Sequence, residues 1–222
     1  MATFLHHTSC SKCNSRDNLA VYSDGSTWCF GCGVSSKAKH VDVEYAEPKK
    51  FWYPKDLTKT LNPKNKAWLK GYDLSLSELD LFSYSPSLDR HVYSVYSNGE
   101  VIMWEGRSMH SKPKTLCVGP KPIHVLNPGR TTLVVCEDII SALKISRHTS
   151  CMPLFGSKLR LDHLAQLSKE YKTIKVWLDS DKFDEAMNIT CQASNLGMDA
   201  QVIFTHRDAK DYGDNLIERK VR

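Results

Sequence analysis

The clearest alternation of apolar and polar positions lies in two adjacent runs, His91–Tyr96 and Glu100–Gly106, separated by Ser97-Asn98-Gly99. A period of two on either side of an Asn-Gly turn predicts an antiparallel hairpin. Beyond residue 130 the pattern changes. Thr131–Cys136, Lys175–Leu178 and Ala200–Phe204 are short, mainly apolar runs of strand length, and a helical stretch, Ile139–Arg147, follows the first. Strand and helix alternating over residues 131–204 predict a parallel sheet with covering helices. Upstream, Leu19–Tyr22, a Ser23–Ser26 turn and Thr27–Cys29 predict a smaller hairpin. Asn62 and Pro63 open a helix expected to stop at Gly71, Leu76–Phe82 predicts a second short helix, and Thr115–Val118 a further strand. Residues 35–50 are polar and carry neither period, as expected of a flexible connector.

Composition bounds these elements without changing them. A chain of 222 residues with 41% apolar content can bury a core in one or two domains. No run of eighteen apolar residues and no hydrophobic N-terminal segment occur, so a chain that is neither exported nor membrane-bound, hence cytoplasmic, is expected. Four of the eight cysteines, Cys117, Cys136, Cys151 and Cys191, are scattered among apolar neighbours and expected as buried thiols. The net charge of +5 is localised: Lys and Arg against Asp and Glu number 2 to 2 in residues 1–35, 15 to 10 in 36–130 and 13 to 13 beyond. A basic middle beside an acidic stretch suits a nucleotide or nucleic-acid substrate.

The other four cysteines form Cys10-Ser-Lys-Cys13 and Cys29-Phe-Gly-Cys32, fifteen residues apart. That is Cys₄ zinc spacing, and four protein ligands make the ion structural, because a catalytic zinc keeps a position open. His6 and His7 are alternative ligands, or part of a flexible tail. Lys12, Asn14, Arg16 and Trp28, with Asp17 and Tyr22, are candidates to touch a DNA strand; Trp28 and Tyr22 are equally candidates for the ribbon's own core.

The acidic chemistry gathers at the ends of the strands expected after residue 130. Asp179 and Asp181 are one residue apart at the end of an apolar run, and strand alternation would place both on one face. Paired carboxylates at the carboxyl end of a parallel strand suit Mg²⁺ or Mn²⁺. Glu137 and Asp138 follow another strand, and Lys210 and Asp211 lie beyond the last.

A strand ending in Glu, a later strand ending in Asp-x-Asp and a Lys-Asp turn beyond it resemble the TOPRIM domain of bacterial-type primases and of type IA and II topoisomerases, over about residues 131–218. The family usually follows its Glu with Gly and carries an Asp four residues on, whereas this chain reads Glu137-Asp138-Ile139-Ile140-Ser141; Asp138 is the candidate to supply that carboxylate. A Cys₄ ribbon, a linker, a basic subdomain and TOPRIM, in that order, resemble the primase part of phage primase-helicases. The resemblance implies an α/β chain, α+β overall, with a zinc ribbon at 1–35, a linker at 36–50, a basic subdomain at 51–130 and a TOPRIM subdomain at 131–222. It implies DNA-templated synthesis of RNA primers from ribonucleoside triphosphates on single-stranded DNA, with a structural Zn²⁺ and catalytic Mg²⁺ or Mn²⁺. Glu137, Asp179, Asp181 and Asp211 would be catalytic metal ligands, with Glu137 alternatively the base for the attacking hydroxyl. Arg107, Lys114, Lys112 and Lys210 would hold nucleotide phosphates. No GxxxxGK[ST] loop occurs, so a separate replicative helicase, with a DNA polymerase, is the expected partner, whether the chain stands alone or is a fragment. A non-catalytic recombination mediator and a TOPRIM nuclease are the alternatives.

Overall fold

The computed structural model describes residues 3–36, 51–60 and 63–222. The chain divides into two compact units, residues 1–50 and 51–222. The first is a small antiparallel sheet of β1 (Phe4–Thr8), β2 (Leu19–Tyr22), β3 (Thr27–Cys29) and β4 (Ser35–Ser36), in that order. The hairpin expected at 19–29 is present, with Gly25 at φ 75° in its turn. His6 and His7 are not a tail: they pair with Val21 and Ala20 as part of β1. Ser35 and Ser36 pair with β3 as a short strand, although they lie where the connector was expected to begin. The rest of that connector, residues 37–50, and the expected cap Asn62 lie outside the described residues.

The second unit holds two four-stranded sheets. One is antiparallel and ordered β5 (Phe82–Ser85), β6 (Arg90–Ser97), β7 (Glu100–Arg107), β8 (Thr115–Val118). Before it come α1 (Pro63–Lys70) and α2 (Leu76–Leu79). The helix expected at 76–82 is shorter than its pattern suggested. A capping box joins Ser75 and Glu78 at its start, and Phe82 passes into β5, where it pairs with Tyr93. Arg90, at the start of β6, is buried and donates to the carbonyls of Pro113 (2.7 Å) and Lys114 (3.2 Å), which fixes the β7–β8 loop carrying Lys112 and Lys114. A Cβ on Gly106 would fall 2.7 Å from Trp104 and 3.0 Å from Arg90, so only glycine lets that arginine lie across β7.

The other sheet is parallel and ordered β10 (Ser150–Pro153), β9 (Thr132–Cys136), β11 (Thr173–Trp177), β12 (Asp199–Val202). Helices α3 (Ile139–Ser146), α4 (Leu161–Leu167), α5 (Phe183–Asn195) and α6 (Asp214–Val221) complete it. Side chains of β9 divide by parity. Val134 and Cys136 enter a core shared with α3, α6 and the antiparallel sheet, while Leu133 and Val135 enter a second core with α4 and α5. Because both faces are covered, β9, β10 and β11 lack polar alternation, whereas the edge strand β12 alternates exposed Asp199 and Gln201 with half-buried Ala200 and Val202. Of the four cysteines expected as buried thiols, Cys136 and Cys151 are buried, but Cys117 is half-buried and Cys191 exposed. Among the described residues no helix is long and apolar enough to cross a membrane.

Candidate metal centre and acidic cavity

In the first unit the four cysteine sulfurs converge, all within 4.8 Å of one another. Cys10 and Cys32 are 3.8 Å apart and Cys13 and Cys29 3.7 Å apart, against an edge of about 3.8 Å for a tetrahedron with metal–sulfur bonds of about 2.3 Å. Asn14 takes the left-handed φ of 53° just after Cys13, the kind of backbone reversal that lets a CxxC aim both sulfurs one way. Hydrogen bonding with Ser15 holds the Cys13 thiol down to about 6, favouring the thiolate a metal needs. Neither His6 nor His7 belongs to this group; the His7 ring instead lies 4.9 Å from Phe4 and 6.0 Å from Phe30. Lys12, Asn14, Arg16 and Trp28 are all exposed, so Trp28 is not a core residue. Phe30, 65% exposed, is an aromatic surface residue that the sequence reading passed over.

The second unit has a cavity of about 630 Å³. Five carboxylates line it, Glu105, Glu137, Asp138, Asp179 and Asp208, together with Arg107, Lys114, Lys121 and Lys210. Glu137 and Asp138 arrive on the turn from β9 into α3, where Asp138 Oδ1 accepts the Ser141 amide at 2.9 Å as the helix cap. Its other oxygen meets Arg107 Nη1 at 3.0 Å and Lys210 Nζ at 2.9 Å. Burial alone would raise this acid; the two cations, Arg107 foremost, reverse that and hold Asp138 well below the usual carboxylate range. Lys210 also pairs with Asp208. Glu105, buried 3.8 Å from Arg107, is pushed up to about 7 chiefly by burial.

Asp179 lines the cavity as well. Burial pushes its carboxyl up to about 7, Lys210 pulls it down, and Glu137, Asp208 and Asp138 add to the rise. Asp181 does not line the cavity, although its charge still acts on Glu137. Strand β11 ends at Trp177, so Asp181 falls in the 3₁₀ turn Ser180–Lys182. Strand alternation therefore no longer applies; its side chain is 72% exposed and pairs with Lys182 at 3.1 Å. Asp211 is exposed and does not line the cavity. Asp208 does, because β12 closes at Val202, two residues short of the expected end, and the chain runs on to a 3₁₀ turn at Ala209–Asp211. Lys114 lines the cavity, whereas Lys112 is exposed and does not. The ammonium of Lys210 is directed at carboxylates.

Glu137 Oε2 is buried and accepts no hydrogen bond. With Asp179 raised beside it, that orphaned oxygen fits a divalent cation bound by Glu137 and Asp179. Among the described residues, however, only the cysteines bring three or more candidate ligand atoms within 4.8 Å of one another.

The sequence matches no protein-family model and no curated protein. Among solved structures it is similar to the zinc-binding and RNA polymerase domains of the Aquifex aeolicus primase, at 14% identity and a TM-score of 0.56, over 97% of this chain and 77% of that one. The primase fragment of the bacteriophage T7 primase-helicase aligns at 16% identity and a TM-score of 0.48, over 99% and 98% of the two chains. A Pseudomonas aeruginosa DNA primase domain aligns at 16% identity and 0.44, over 72% and 56%. The chain has the fold of a bacterial-type primase with its zinc-binding domain.

Proposed function

We propose that the chain is a DNA primase that synthesises RNA primers from ribonucleoside triphosphates on single-stranded DNA. The observation that carries this reading is the single cavity in which Glu137, Asp179 and Asp208 meet the exposed amines Lys114 and Lys121, on a primase-like fold. In the reaction the 3′-hydroxyl oxygen forms a bond to the α-phosphorus, the bond to pyrophosphate breaks, and the hydroxyl proton leaves. Lys114 and Lys121 hold the triphosphate by charge-assisted hydrogen bonds. Lys114 is ready-placed because Arg90 pins its carbonyl. Arg107 offsets the charge of Asp138 and Glu105. Glu137 presents a free oxygen for a cation, and the hydroxyl proton passes to water. A divalent cation, Mg²⁺ or Mn²⁺, held by Glu137 and Asp179 would neutralise the triphosphate and acidify the hydroxyl. This parallel-sheet region would be the TOPRIM subdomain. In the first unit the cysteines would hold a structural Zn²⁺, and the exposed Lys12, Asn14, Arg16, Trp28 and Phe30 would meet template bases and phosphates. A replicative helicase and a DNA polymerase would be partners, in the cytoplasm.

The test is incorporation of labelled ribonucleotides on a random single-stranded DNA library with Mg²⁺ or Mn²⁺. Wild type should make labelled oligoribonucleotides, while Asp179→Ala and Asp208→Ala, folded by circular dichroism, should make about 100-fold less. Template cut without nucleotides would replace the polymerase reading with a nuclease. DNA bound equally by all three proteins, with no product from any, would replace it with a recombination mediator.

A further inference from the structure

Lys210 is an unusual occupant of an acidic cavity. It is 8% exposed, and its ammonium bonds Asp138 Oδ2 at 2.9 Å and Asp208 Oδ2 at shorter range. Its backbone cannot easily withdraw, because the buried Lys144 donates to the Lys210 carbonyl at 2.8 Å and to that of Tyr212 at 2.7 Å. Asp138 is fixed in turn, by its cap on α3 and by Arg107. Lys210 thus bridges two carboxylates at hydrogen-bonding distance, one of which, Asp138, also carries Arg107.

An ammonium bridging two carboxylates occupies the position a bridging metal ion would take, and offers one unit of charge instead of two. The remaining side of the cavity differs. Glu137 Oε2 has no hydrogen-bond partner and Asp179 no ion pair among the described residues. Glu105, also lining the cavity and buried, lies 3.8 Å from Arg107, so Arg107 and Lys210 are engaged on the other side and neither is paired with Glu137 or Asp179.

We propose that Lys210 is a built-in cation that takes the place of one divalent ion, so that this cavity binds a single Mg²⁺ or Mn²⁺, on Glu137 and Asp179. The proposal rests on reading the cavity as a divalent-cation site. It makes Lys210 a positioning residue for Asp138 and Asp208, not a phosphate ligand. Removing its charge would leave Asp208 without a cation and Asp138 with Arg107 alone, opening the bridging position to a second ion.

The experiment is titration of the zinc-loaded full chain with Mn²⁺ alone, following free Mn²⁺ by electron paramagnetic resonance. Wild type should bind one Mn²⁺ per chain and Lys210→Arg one, whereas Lys210→Met and Lys210→Gln should bind two. Oxygen ligands favour Mn²⁺ and the cysteine site does not compete for it. Two ions in wild type, none in wild type, or one in both neutral variants would overturn the proposal. The wild-type count decides by itself if the neutral variants unfold, one ion supporting the proposal and two refuting it. Because no nucleotide enters the readout, a protein that shows the one-to-two change yet makes no primer would refute the polymerase reading and leave this one standing.

Discussion

The two candidate ion sites of this molecule are built in opposite ways. In the first unit four thiols already converge within 4.8 Å, two pairs of them at the edge length of a tetrahedron, and little besides a metal explains why they face one another. In the second, five carboxylates share a cavity but no three bring their oxygens together, and protein cations pair with three of them. A site that is structural can be closed, because nothing has to enter or leave it. A site that handles triphosphates has to keep a face open, so its charge is balanced in part by the protein and in part by what binds.

The contrast is most easily broken at the cysteines. Cys29→Ala should take zinc content from one ion per chain to none and unfold residues 3–36, seen as protease sensitivity confined to that unit, while the melting of residues 51–222 stays unchanged; retained zinc would contradict the closed site. At the acidic cavity, Asp211→Ala should keep primer synthesis within about threefold of wild type, set against the roughly 100-fold loss expected for Asp208→Ala. Equal losses would mean that the exposed Asp211 moves into the cavity when substrate binds.

Stability supplies a smaller effect. Arg147 donates to Glu78 at 2.6 and 2.9 Å and to Asp214 at 2.9 Å, tying α2 and α6 to the end of α3. Arg147→Ala should cost about 2 kcal/mol, a fall of about 4–8 °C in Tm by calorimetry, as expected for partly buried pairs that lose one member. The smallest effect concerns Asp179. Its folded carboxyl is raised to about 7 from an ordinary 3.8, so the native state binds the extra proton between those values. The stabilisation is full below about pH 4 and lost as pH rises through 7. In chelator, Asp179→Asn should therefore raise Tm by a few degrees at pH 8 and leave it little changed at pH 4; an equal shift at both would assign the effect to packing.

Much of this was legible in the residues themselves. The CxxC spacing, the hairpin at 91–106 and the apolar strands after 130 rest on local patterns, and each is found in the structure. What escaped depended on where a strand stops. Asp179 and Asp181 look equivalent in sequence, but β11 ends at Trp177 and the tighter turn sends Asp181 outward. Asp208 stands three positions before Asp211 in the same polar stretch, and only the early end of β12 shows which of them faces the cavity. The partnership of Lys210 with Asp138 spans 72 residues and has no local signature. Its one hint was the acid at 138 itself, a second charge beside Glu137 that needed a counter-ion.

Helix α3 makes both of the contacts that hold Lys210: its cap, Asp138, takes the ammonium, and Lys144, six residues on, takes the carbonyl. Those two anchor points are separated by about 9 Å of helix at 1.5 Å per residue. The helix therefore acts as a gauge, fixing the reach of one loop against another with a length that side-chain motion cannot change. A single inserted or deleted residue between 138 and 144 would turn one anchor by about 100° relative to the other. Sequence drift in this segment therefore has to preserve the spacing of these two residues as well as the packing of the buried residues between them.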